Sequence, residues 1–170
     1  MRVLIVANQT LSSDELVAAV MSRKAKGECE FHVVVPATPL LRQELALRHS
    51  EHPGAVFGES GPVAVARMRL SQGLAKLEGF GVTATGDVGD PDPFKAICVA
   101  AEHTPVDEVV LSTLPRRLSR WLAADLPRRV HRRLGVPVTH VETGRTLGPG
   151  AHASAQKSTL GSMAQRMLSS

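Results

Sequence analysis

Arg2-Val3-Leu4-Ile5-Val6-Ala7 is polar only at its first position. Such an unbroken aliphatic run, rich in β-branched residues, predicts a parallel strand buried on both faces. The polar stretch behind it carries Ser12 and Ser13 as alternative N-caps, then Asp14-Glu15. Leu16, Val17, Val20 and Met21 follow at helical spacing, and Arg23, Lys24 and Lys26 precede Gly27. A cap, an acidic first turn, a basic last turn and a terminal glycine together define a helix. Phe31 to Val35 predicts a second strand, stopped by Pro36. A short helix over Pro39 to His49 fits the next segment, and His52 to Pro62 reads as a long loop, either a lid or an insertion.

Val65, Met68, Leu70, Leu74 and Leu77 predict a helix over Val63 to Leu77, closed by Gly79. Val82 to Thr85 is a modest third strand. The helix over Asp92 to His103 aligns Phe94, Ile97, Cys98 and Ala101 on one face, which turns Cys98 toward the core. Asp107 to Leu111 predicts strand four, Asp125 the cap of a helix over Leu126 to Leu134, and Val136 to Val141 strand five. Strands alternating with helices throughout imply an α/β class with a parallel sheet, right-handed crossovers and helices on both faces.

The chain of 170 residues fits one domain, expected over residues 1–142. From Thr143 onward the composition turns to Gly, Ala and Ser, with Leu160, Met163, Met167 and Leu168 on one side of a final helix. Residues 143–170 are therefore expected to be a flexible tail or a docked helix. The first apolar run is too short for a signal-peptide core or a membrane span, so a cytoplasmic protein without membrane association is expected. Cys29 and Cys98, without C-x-x-C spacing, suggest neither a disulfide framework nor a zinc ribbon and read as small hydrophobes.

Charge changes the picture in one place. Between Arg116 and Arg133 stand seven arginines (116, 117, 120, 128, 129, 132, 133) and a single acid, Asp125, for a local charge of +6 against +4 for the whole chain. The cluster follows strand four, and ligands of open α/β sheets bind beyond the carboxyl ends of strands where the strand order reverses. The two loops that matter are accordingly Val6 to Leu11 and Ser112 to Trp121.

The segment "GDVGDPDPFKAICVAAEHTPVDEVVLS" from Gly86 to Ser112, the "GVPVTHV" ending at Val141 and the strand-helix order over Arg2 to Val141 resemble the universal stress protein family. The resemblance implies a three-layer, Rossmann-like fold, that of the universal stress proteins and the adenine nucleotide alpha hydrolase-like group. It also implies a five-stranded parallel sheet of order 3-2-1-4-5, a role in stress response, frequent dimerisation through the last strand and, in one branch, ATP binding. That branch carries an aspartate at the end of strand one and G-x2-G-x9-G-[S/T] after strand four. In this chain Asn8 matches the aspartate. Ser112, Pro115 and Asp125 fall on the three glycines, and Leu126 falls on the hydroxyl residue. The spacing survives and every motif residue is changed.

Glycines in a phosphate loop allow positive φ and close approach of backbone N–H groups. Pro115 offers neither. Asp125, as a helix cap, would place a carboxylate where a phosphate would use free N–H groups and the positive end of the helix dipole. Against this, Arg116, Arg117 and Arg120 can grip phosphate without any glycine. Two readings stay open: a regulatory or partner-binding domain without the usual ATP site, or a receptor for a nucleotide or other phosphate ligand. The receptor would use Asn8, Ser112, Thr113, Arg116, Arg117 and Arg120 in place of the glycine cradle, with Ala7, Pro115 and Asp125 as further candidate positions of the ligand site. The first is favoured, with no cofactor expected and ATP or AMP as the ligands of the second.

Other chemistry finds less support. His49 and His52 frame an H-x2-H without further ligands, so no metal site is expected. Ser112 and Thr113 lack a G-x-S-x-G elbow or an assignable His/Asp partner, which disfavours an enzyme. Trp121 reads as a core plug, and an aromatic content of 3% leaves few stacking platforms for nucleic acid, which is not expected as a partner. The apolar last strand would leave an exposed sheet edge, which a homodimer or the tail would cover, and a protein partner is compatible with both.

Overall fold

The computed structural model describes residues 1–39, 61–115, 119, 121 and 125–144. Within them β1 (Arg2–Val6), α1 (Asp14–Lys24), β2 (Glu30–Pro36), α2 (Gly61–Gly79) and β3 (Ala84–Gly89) are followed by α3 (Pro93–His103), β4 (Glu108–Thr113), α4 (Leu126–Leu134) and β5 (Val138–Glu142). The strands form one sheet of order β3-β2-β1-β4-β5, parallel at each pairing. The α/β class and the 3-2-1-4-5 order are those expected.

β1 lies at the centre of this sheet because nothing in it after Arg2 tolerates water. Val3, Leu4, Ile5 and Val6 are each at most 1% exposed. Alternate residues serve opposite layers. Val3 and Ile5 join Phe31, Val33, Val35 and Val110 beneath Leu16, Val17 and Val20 of α1 and Ala66, Leu70 and Leu77 of α2. Leu4 and Val6 join Val34, Val109 and Leu111 against Ala96 and Ile97 of α3 and Leu126 and Val130 of α4. Trp121 packs against this second layer, as a core plug should.

Local signals explain most helix ends. Ser13 caps α1, its Oγ accepting from the Leu16 N–H at 3.2 Å, and Asp92 caps α3 in the same way through Phe94 N–H at 2.9 Å. Several expectations need correction. β3 runs to Gly89 rather than ending at Thr85, because its glycines are sites of close packing rather than a turn. A Cβ on Gly86 would lie 2.7 Å from Leu70 Cδ1 and from Val33 O, and one on Gly89 would lie 2.7 Å from Ala96 Cβ. Pro36 is the last residue of β2 rather than its stop, and Gly61 and Pro62 belong to α2 rather than to a loop. Cys98 is only partly buried, since α3 turns Ala96 and Ile97 inward. Thr143 is buried, and its N–H donates to Thr113 O of β4. The expected helix over Pro39 to His49, nearly all of the expected loop over His52 to Pro62, and the tail from residue 145 lie outside the described residues.

A polar network joins a helix layer to the sheet. Glu108 at the start of β4 accepts from Arg23 Nε at 2.9 Å and from Arg23 Nη2, while Thr139 Oγ1 of β5 donates to it at 2.6 Å. Arg23 also donates to Ala19 O at 2.7 Å, so α1, β4 and β5 share one network whose charged side chains are 12% and 15% exposed. The Arg23 guanidinium holds the Glu108 carboxyl below its ordinary value of 4.5; burial opposes this and the Thr139 hydroxyl adds to the lowering. A depressed carboxylate contributes stability that is complete above the unfolded pKa and is lost as pH falls through the folded one. Glu108→Gln is expected to cost about 2 kcal/mol at neutral pH, or about 4–8 °C of melting temperature. Melting curves from neutral to acidic pH should show this gap closing once pH falls below the ordinary carboxylate value.

Candidate functional site

The order of the sheet reverses between β1 and β4, so the crevice beyond their carboxyl ends is the place to look for a ligand. Ala7, Asn8, Ser112 and Thr113 of the expected set do line this end, and the crevice is laced by the protein's own hydrogen bonds. Thr10 Oγ1 donates to Ser112 O at 3.0 Å, tying the β1–α1 turn to β4. Thr143 donates to Thr113 O through both its N–H, at 2.8 Å, and its hydroxyl, at 3.0 Å.

Asn8 is occupied on both sides of its amide. Its Nδ2 donates to Pro36 O at 2.9 Å and to Thr38 Oγ1 at 2.6 Å, and its Oδ1 accepts from Arg69 Nη1 of α2. A primary amide has two N–H donors, and both are committed here. The residue therefore clamps the ends of β1 and β2 to α2. Thr113 Oγ1 donates to Leu114 O at 2.9 Å and so accepts from His140 Nε2 at 2.7 Å, which assigns the proton to that ring nitrogen. Ala7 is fully buried and presents no side-chain chemistry.

Ser112 is the exception. It is 1% exposed, and its Oγ has no hydrogen-bond partner among the described residues. A buried hydroxyl left in this state costs about 1–3 kcal/mol.

Pro115 is partly buried and packs against Gly144, where the chain leaves β5. Asp125 does not cap α4: it is exposed, makes no side-chain cap bond, and adopts φ 50°, ψ 37°. It is the one non-glycine residue of positive φ among those described. Aspartate tolerates this left-handed region better than most residues. Its carboxylate points instead toward Arg128, with Nε 4.0 Å from Oδ1. Pro127, with no N–H, removes one donor from the first turn of α4. Arg116, Arg117 and Arg120 lie outside the described residues, as do His49 and His52. Among the described residues no group of three or more His, Cys, Asp or Glu is placed to hold a metal ion, and no helix is long and apolar enough to cross a membrane.

Solved structures share this architecture. A universal stress protein from Archaeoglobus fulgidus superposes with a TM-score of 0.54 at 16% identity, covering 83% of this chain and 93% of its own. A structure of the universal stress protein from the same organism in complex with dAMP gives 0.55 at 14% identity over 83% and 97%. The chain has the universal stress protein fold. A universal stress protein family protein from Arabidopsis thaliana with AMP bound gives 0.55 at 12% identity over 89% and 97%. No protein-family model matches the chain, and no curated protein matches it in sequence. At such identities the likeness to the universal stress protein fold is one of architecture, and the bound nucleotides belong to those proteins.

Arg69, Thr38, Thr10 and Thr143 were missed as members of this site. Arg69 and Thr38 lie 61 and 30 residues from Asn8, too far for local pattern to reveal. Two substitutions separate the clamp from the orphan. Asn8→Ala should destabilise by about 1–3 kcal/mol, because Pro36 O and Arg69 lose their partner. Ser112→Ala should be neutral or stabilising by up to about 1 kcal/mol. Chemical denaturation of both variants beside the wild type checks the opposite signs.

Proposed function

We propose that the chain is a universal-stress-protein-like regulatory or partner-binding domain without the usual ATP site, needing no cofactor, working in the cytoplasm and catalysing no reaction. The observation that carries this reading is that the Asn8 amide, which the family resemblance matches to the ATP-binding branch's aspartate, is spent on Pro36, Thr38 and Arg69. The bonds from Thr10 and Thr143 onto the carbonyls of Ser112 and Thr113 support it further, because they commit these acceptors to protein groups. So do the prolines at 115 and 127, neither of which can donate to a phosphate.

Melting of the purified chain with millimolar ATP, AMP, phosphate and sulfate tests the reading. No saturable shift is expected. A nucleotide at about 100 times its Kd would stabilise by about 2.7 kcal/mol, which corresponds to about 5–10 °C. A rise of that size with adenine nucleotides alone would overturn the reading.

A second reading is favoured by the Ser112 hydroxyl, a buried donor with no described protein partner at the very strand end where α/β folds hold ligands. In it Ser112 and Thr113, with Arg116, Arg117 and Arg120, form a rebuilt receptor for a nucleotide or other phosphate ligand. Universal stress proteins of this fold in complex with cAMP and with dAMP are compatible with it.

The domain is also proposed to form a homodimer through β5. Among the described residues that strand pairs with β4 and forms one end of the sheet, and Val138, Thr139, His140 and Val141 are half-buried. An edge strand is a ready template for pairing with a second copy. Sedimentation analysis is expected to give twice the chain mass, falling to one on Val141→Lys.

A further inference from the structure

α4 carries Arg128, Arg129, Arg132 and Arg133 within six residues, and the fold accounts for one of them. The Arg129 guanidinium stacks over the Phe94 ring of α3, 4.4 Å from its centroid. Arg128 has an 84% exposed side chain and only the distant Asp125 carboxylate at 4.0 Å. Arg132 and Arg133 are exposed and make no ion pair among the described residues. Three arginines elsewhere stand against acceptors, Arg2 on Glu30, Arg23 on Glu108 and Arg69 on Asn8, and none of these belongs to a cluster of this kind. Like charges one turn apart repel, as in the pairs 128/132 and 129/133, and the dipole of α4 compensates only in its last turn.

We propose that the exposed face of α4 docks on the phosphate backbone of double-stranded nucleic acid, without regard to sequence. Guanidinium groups bind phosphate oxygens bidentately, and a cluster of them releases condensed counterions when it meets a duplex. Two features select this occupant. The apolar residues of α4 are turned inward, Leu126 and Val130 being buried in the core, so the outer face has no apolar anchor on which a protein interface would centre. For the same reason α4 has no apolar face to lay into a membrane. Scarce aromatics argue against base stacking and leave backbone contact untouched. The proposal does not rest on the reading of the β1/β4 crevice.

The test is fluorescence anisotropy of the full chain with short labelled DNA duplexes of two unrelated sequences. The expected result is a Kd of about 1–100 μM, equal for both sequences, with log K falling against log salt at a slope of about −2 to −4 as two to four phosphates are neutralised. Arg132→Glu with Arg133→Glu should weaken binding by at least about tenfold, and Arg132→Lys with Arg133→Lys should retain it, because the term is electrostatic. Arg132→Gln with Arg133→Gln replaces the Glu pair if that variant does not melt like the wild type. Absence of binding at low salt would overturn the proposal. So would binding undiminished by the Glu or Gln pair, or competition by polyglutamate as effective as by unlabelled duplex.

Discussion

Everything in this molecule is arranged around a strand that cannot meet water. β1 is buried on both faces and hydrogen-bonded along both edges, to β2 on one side and β4 on the other. Unpaired backbone groups in such a position would cost as much as lost hydrogen bonds, so the two neighbours are obligatory. The chain then has to leave β1 in one direction toward β2 and β3, and later return on the far side for β4 and β5. The crevice at the carboxyl end of β1 is a by-product of that reversal.

Much of this was legible because burial leaves a pattern. Val3 to Val6 announce a two-sided strand, and Ser13 and Asp92 stand where caps must stand. What escaped depended on geometry that residue type does not encode. Gly86 and Gly89 look like turn residues and are instead gaps into which Leu70 and Ala96 fit. Asp125 has the chemistry of an N-cap and the dihedral angles of a left-handed linker, which only the path into α4 decides. Cys98 shares a helical face with Ile97 in projection, yet α3 buries Ala96 and Ile97 and leaves it half out of the core. The Asn8 clamp joins three segments distant in sequence, so no spacing could have announced it.

The charges obey a similar division. Arg23 and Glu108 are withdrawn from solvent and hold α1 to the sheet, with Thr139 adding a second donor to the carboxylate oxygen that Arg23 Nη2 holds. A partly buried pair of this kind is costly to break from one side, because the surviving charge stays desolvated. Arg128, Arg132 and Arg133 of α4 lie at the other extreme, on a face where the core asks nothing of them. One set of charges is part of the architecture, and the other is available to whatever the protein meets.

The left-handed backbone at Asp125 narrows what the position accepts. The residue takes a turn that glycine, asparagine or aspartate enters with little strain. A β-branched side chain there would be an outlier, so the way into α4 is set by shape before chemistry, and most substitutions at this one position would have to bend the chain.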